Sequence, residues 1–202
     1  RAHVDGAMRQ WLDQASPAEI AETAHIVRVG LAHEEQHQEL LLTDIKHVLA
    51  MNPFPEAAYA LPDKPCLDDP AAPEQDWVRF EAELCEIGAA GDGFHFDHEG
   101  PRHRIWIEAF ELAARPVTNA DYLAFIEDGG YRTPSLWLSE GWDAIQCAGR
   151  RAPIYWRERD GRWCEHTLHG ERPLDPDAPL SHIDFYEAIA FAEWTGYRLP
   201  WE

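Results

Sequence analysis

The stretch that decides the reading is His33-Glu34-Glu35-Gln36-His37-Gln38-Glu39. Two histidines four residues apart lie one above the other on a helix, close enough to share one metal ion. At about 100° per residue, His33, Gln36, His37, Leu40, Asp44 and His47 fall in one sector. Ile20, Val27, Leu31, Leu41, Ile45, Val48 and Leu49 fall in another, roughly a third of a turn away. The sequence therefore predicts a helix with a core face and a separate polar, ligand-like face. The bland alternative is a solvated polar stripe carrying two chance histidines. The five residues His33 to His37 also match the zinc-protease pattern His-Glu-x-x-His. No third ligand for such a site follows at short range. Two histidines suit iron(II), zinc or nickel alike, so spacing leaves the metal open.

Outward from this stretch, residues 1–52 read as helical. Arg1 to Asp13 has Val4, Met8, Trp11 and Leu12 on one side. Ser16-Pro17-Ala18-Glu19 is a helix start, with Ser16 as cap, Pro17 in the first turn and Glu19 completing a capping box. The long helix runs to about Met51, where Asn52-Pro53 stops it. Residues 53–76 hold six prolines and read as a linker.

From Trp77 the pattern turns strand-like, with Val78, Phe80, Ala82 and Leu84 alternating with Arg79, Glu81, Glu83 and Cys85. His103 to Leu112 reads as a second strand. Thr118 caps a short helix holding Tyr122, Phe125 and Ile126, and Gly129-Gly130 ends it. Residues 131–181 are rich in Trp, Pro and Gly and suggest few long elements. Asp184-x-x-Glu187 opens a final helix that Gly196 closes. The expected organisation is thus a helical part (1–52), a linker (53–76) and an α+β domain (77–202).

Composition excludes some functions. The 202 residues carry 17 Lys and Arg against 37 Asp and Glu, a formal charge of −20. Phosphate backbones need clustered cations, so nucleic acid is not an expected partner, and neither is an anionic membrane. Cys66, Cys85, Cys147 and Cys164 form no Cys-x-x-Cys motif and read as reduced thiols. No apolar run approaches the roughly 18 residues of a membrane span, and no basic start precedes an apolar run. The expectation is a cytoplasmic protein. His25 lies on the long helix but well outside the ligand sector, His95, His98 and His103 read as surface or packing residues, and His47 as supporting or structural. His166, His169 and His182 suggest no role. Trp137, Trp142 and Trp156 read as core.

The run His33-Glu-Glu-Gln-His37-Gln-Glu-Leu-Leu-Leu-Thr-Asp-Ile-Lys-His47 resembles the signature helix of the ergothioneine-biosynthesis sulfoxide synthases. That family joins a DinB-like four-helix bundle to a formylglycine-generating-enzyme-like (sulfatase-modifying-factor) domain of C-type-lectin-like fold. The second half of the chain is similar to that domain at Gly91-Asp92-Gly93-Phe94, Pro101-Arg102-His103-Arg104, Arg115-Pro116-Val117-Thr118-Asn119, Asp128-Gly129-Gly130-Tyr131, Leu136-Trp137-Leu138-Ser139-x-Gly141-Trp142, Tyr186-Glu187-Ala188 and Arg198-Leu199-Pro200.

The resemblance implies an α+β chain and an enzyme with two small-molecule substrates. In it, iron(II) and O₂ couple γ-glutamylcysteine or cysteine to C2 of hercynine (trimethylhistidine). It implies that His33 and His37 are two of three histidine ligands, and that Gln36 helps bind hercynine. The third histidine is expected upstream of Arg1 and a catalytic tyrosine beyond Glu202. The ending Arg198-Leu199-Pro200-Trp201-Glu202 departs from the family's Arg-Leu-Pro-Thr-Glu-Ala-Glu-Trp-Glu. Other readings are a synthase using selenium or another ring carbon, a zinc-dependent DinB-like thiol transferase or hydrolase, and a lectin-like binding module without metal.

Overall fold

The computed structural model describes residues 1–52, 57–60, 73–91 and 93–201. Most of the expected linker, together with Cys66, Asp92 and Glu202, lies outside the described residues. The chain divides into two compact units, residues 1–43 with 82–108, and residues 44–81 with 109–202.

The first unit begins with helix α1, Ala2–Gln14. Helix α2 follows, Pro17–Ala50, and its last turns belong to the second unit. The start of α2 is the expected capping box. The Ser16 amide donates to Glu19 at 2.8 Å, and the Glu19 amide donates to Ser16 Oγ at 3.3 Å. Two donors that the first turn leaves open are thereby met. The expected core face of α2 is another matter. Leu31, Leu41 and Val48 are each more than 60% exposed, and Ile20 and Ile45 are exposed as well. Among the described residues nothing covers most of that face, so helical periodicity alone identified a face and not its burial.

The expected strands 77–85 and 103–112 are each broken in two. Strands β1 (Trp77–Phe80) and β4 (Phe110–Ala113) pair antiparallel in the second unit. Strands β2 (Glu83–Ile87) and β3 (His103–Ile107) pair in the first. In the ladder of the second unit Phe80 stands opposite Phe110, and in that of the first Glu83 stands opposite Ile107.

The rest of the second unit holds helices α3 (Asn119–Glu127), α4 (Ser139–Ala148) and α5 (Phe185–Thr195). A three-stranded meander joins them, β5 (Trp156–Arg159), β6 (Arg162–Thr167) and β7 (Gly170–Pro173). Residues 131–181 were expected to hold few long elements, and those found there are short, the strands four to six residues and α4 ten. The β5–β6 turn is Asp160-Gly161, with both residues at positive φ (51° and 72°). That is the conformation a two-residue hairpin requires, and Asp-Gly supplies it cheaply.

The core is aromatic. Tyr122 and Phe125 are fully buried, and Tyr131, Trp137, Ile145, Trp156 and Ala190 pack around them. Phe191 lies 5.4 Å from Tyr122, and Trp194 stands edge-on to Phe125 at 5.7 Å. Such ring pairs add stabilisation beyond simple burial. Inside this core sits one carboxylate. Glu187 accepts from the Tyr131 hydroxyl at 2.6 Å and from the Asp184 amide at 2.8 Å, with Arg150 at 3.3 Å. Burial pushes its pKa above the ordinary carboxylate value.

Two predictions follow from this packing. A methyl group at Gly130 would overlap the Phe125 ring. Gly130→Ala should therefore cost about 1–3 kcal/mol, the usual cost of overpacking, read by urea unfolding. The second concerns pH. A raised carboxyl pKa means the native state holds a proton that the unfolded chain has lost. The resulting stabilisation is complete below the ordinary value of 4.5 and is lost as pH rises through the native pKa. Glu187→Gln mimics the protonated form. Its stability difference from the wild type should change with pH across that window by at most about 1.4 kcal/mol per pH unit, and a flat difference would contradict it.

Candidate metal centre

The sequence-predicted ligands sit together on α2. The His33 and His37 rings meet edge to face, centroids 4.4 Å apart with planes at 81°. Gln36 lies three residues from His33 on the same helix, and all three side chains are exposed. Imidazoles one helical turn apart can take adjacent positions on one ion. Among the described residues no group of three or more His, Cys, Asp or Glu is placed to hold a metal. The pair thus offers two donors toward a larger set.

The other residues on that sector do not join the pair. His47 turns to packing, with Nδ1 3.2 Å from the Tyr155 hydroxyl. Asp44 is exposed. His25 bonds through Nδ1 to the Glu22 carbonyl at 3.1 Å. It lines a cavity of about 250 Å³ with Arg28, Val29, Gly93, Phe94 and His95. His103 is tied to the Pro101 carbonyl at 3.0 Å, and the His98 ring stacks on Phe96. These are surface and packing roles, as expected. Cys85, Cys147 and Cys164 are free thiols.

Several motifs of the second half have structural partners. Thr118 caps α3 and exchanges hydrogen bonds with Asp121, which Arg115 also holds at 2.7 Å. Asn119 Nδ2 donates to the Asp175 carbonyl at 2.7 Å, and Leu180 donates to Val117. Residues 115–121 are thereby stitched to residues 175–180. Gly129 takes φ 87° and Tyr131 reaches Glu187. Trp137 donates through Nε1 to the Gly130 carbonyl at 2.8 Å. Trp137 and Trp156 are core, and Trp142 packs against it.

A cluster that sequence reading passed over lies at the end of α2. Lys46 Nζ is 2.7 Å from His182 Nε2, and both pack on Tyr155. No local signal could join residues 136 positions apart. His166 is buried nearby, and neither ring nitrogen has a partner among the described residues. Burial holds its pKa below the ordinary histidine value, with Arg157 and Lys46 adding to the effect.

Residues 68–202 match the family described as the sulfatase-modifying factor enzyme 1-like domain, and the chain belongs to that family. It is similar to the hercynine oxygenase of Mycobacterium tuberculosis, 34% identical over 172 residues, covering 85% of this chain and 39% of that protein. The hercynine oxygenase of Mycolicibacterium thermoresistibile is 34% identical over 181 residues, covering 85% of this chain and 37% of its own. The formylglycine-generating enzyme of Bos taurus is 29% identical over 147 residues, 65% of this chain and 38% of that enzyme. The chain spans less than two-fifths of the length of each of these relatives. The resemblance to the sulfoxide synthase family is borne out by these matches, and so is an α+β chain with a formylglycine-generating-enzyme-like part. No helix among the described residues is long and apolar enough to cross a membrane.

Proposed function

We propose that this chain is part of an iron(II)- and O₂-dependent sulfoxide synthase that joins a thiol to hercynine. One observation carries the reading. His33 and His37 meet at 4.4 Å on one helix, in a chain similar to proteins named hercynine oxygenase. In this reading residues 1–52 are part of a DinB-like bundle, 53–76 a linker, and 77–202 the formylglycine-generating-enzyme-like part. The free cysteines and the acidic composition suit a cytoplasmic setting.

The residues present fit two ligand positions of iron(II). Imidazole is a good donor to that ion, though it serves zinc equally well. Bound iron(II) would supply the means of using O₂. His33 and His37 would hold it, each through one neutral ring nitrogen. Gln36, beside them, would donate to or accept from hercynine and fix its ring toward the metal. The carboxamide can do both, so it suits an imidazole whose two nitrogens differ. Fixing both partners makes the coupling an oriented one rather than a random encounter. The balance is simple. Hercynine gives up its C2–H and the thiol its S–H. One oxygen atom of O₂ leaves as water and the other becomes the sulfoxide.

The test uses the full-length protein, purified without oxygen and loaded with iron(II). O₂ uptake with hercynine and either γ-glutamylcysteine or cysteine is measured alongside the product mass. The expected result is uptake with a sulfoxide product. His33→Ala and His37→Ala should abolish it along with bound iron. Gln36→Ala should raise KM for hercynine while iron content stays unchanged. Tight zinc binding with thiol transfer and no O₂ uptake would replace this reading with a DinB-like transferase. No metal at all would leave a binding module.

A further inference from the structure

The last turns of α2 end in a contact whose chemistry depends on one proton. Lys46 Nζ lies 2.7 Å from His182 Nε2. An ammonium only donates, and an imidazole nitrogen accepts only when it carries no proton. Lysine is the stronger base by about four pK units. The contact is therefore an ammonium donating to a neutral ring, with the ring proton on Nδ1. Adding one more proton leaves two cations at hydrogen-bond distance and no acceptor between them.

The surroundings hold both groups in place. The Tyr155 ring lies beneath the ammonium, 4.7 Å from its centroid, an arrangement that favours the cation. The His182 ring stands edge-on to the same tyrosine at 4.8 Å. Tyr155 itself is buried, and its hydroxyl meets His47 at 3.2 Å. His182 sits at φ 62°, a left-handed conformation that few residues other than glycine adopt, and which surrounding structure must enforce.

The charged neighbours decide what an added proton does. Glu165 on β6 is the acidic group that acts on Lys46. Arg150, Asp184 and Glu187 line a cavity of about 240 Å³ with His182, but they are already engaged with one another. What acts on the His182 titration is burial and Lys46, not these carboxylates. Buried His166 also lies within the field of Lys46, and stays neutral for the same reason His182 does. His47 faces the same tyrosine from α2, its Nδ1 3.2 Å from the Tyr155 hydroxyl.

We propose that Lys46 and His182 form a proton-controlled latch, which holds the end of α2 against Tyr155 while His182 is neutral and releases it once His182 is protonated. The direction of the titrations agrees. Burial, and then the charge of Lys46, hold the His182 pKa below 6.5. Burial pushes Glu165 the other way, above the ordinary carboxylate value. As pH falls, Lys46 loses an acidic neighbour and gains a cationic one. A depressed histidine pKa means the unfolded or released form takes up the proton first. The latch therefore weakens as pH falls below 6.5, and the loss is complete beneath the native value of His182. None of this rests on the iron reading.

The test is a pH titration of this chain, with its histidine rings labelled, followed by NMR. Near neutral pH, His182 should be the Nδ1–H tautomer, and it should titrate below the ordinary histidine value of 6.5. Lys46→Met keeps the stem on the Tyr155 ring and removes the charge, so it should bring the His182 midpoint upward. In the wild type, acid should shift the Tyr155 ring signals and the backbone signals of residues 44–50 together with His182. Asparagine tolerates the left-handed conformation and accepts a hydrogen bond without titrating. His182→Asn should therefore abolish the coupled shift. A His182 midpoint at the ordinary value, or one that Lys46→Met leaves unmoved, would overturn the latch. So would the same acid-induced shift in His182→Asn.

Discussion

A carboxylate with 1% of its surface exposed survives in a core only if each oxygen is met, because an unpaired buried charge costs more than a fold of this size can spare. Glu187 meets that condition with groups drawn from three places. Tyr131 comes from the turn after α3, Asp184 from the start of α5, and Arg150 from the end of α4. One side chain thus fixes the mutual placement of three helices. It does so with hydrogen bonds, whose directions are stricter than those of hydrophobic contact. The aromatic cluster supplies the stabilisation, and the Glu187 network supplies the register.

The same logic explains why glycine stands where it does. Tyr131 reaches Glu187 only if the chain turns sharply after α3. Gly129 makes that turn at φ 87°. Gly130 then passes so close to Phe125 that no side chain fits, and its carbonyl accepts from Trp137. Turn, close approach and buried hydrogen bond form one device. The run Asp128-Gly129-Gly130-Tyr131 is its sequence trace.

Much of this was legible because the signals are local. The Ser16–Glu19 box, the Thr118 cap and the Asp184-x-x-Glu187 start each lie within four residues, and each forms as read, with Asp121 completing a box that the sequence reading did not name. The His33–His37 pair was legible for the same reason, since one helical turn brings them together. The β5–β6–β7 meander was missed although Asp160-Gly161 marks a hairpin turn. Its strands carry Arg, Glu, Cys and His on faces that are partly buried, so polar–apolar alternation is blurred. Helix α4 was hidden by Gly141, which weakens helix propensity. Its reason is tertiary, for a Cβ at that position would lie 2.5 Å from the Tyr186 side chain.

What stayed illegible is the pairing of α2 with residues far along the chain. The same helix carries two chemistries that differ in how they were found. His33 and His37 are close in sequence and stand exposed, so nothing but their spacing marks them. Lys46 and His182 are far apart in sequence, and only folding gives them meaning. An exposed pair of donors keeps its ring nitrogens open to an incoming ion. A ring that already accepts from a neighbouring ammonium has used its lone pair, and is sensitive instead to the proton. What separates the two sets is the neighbour each ring meets: His33 meets His37 on its own helix, whereas His182 meets Lys46 from far along the chain.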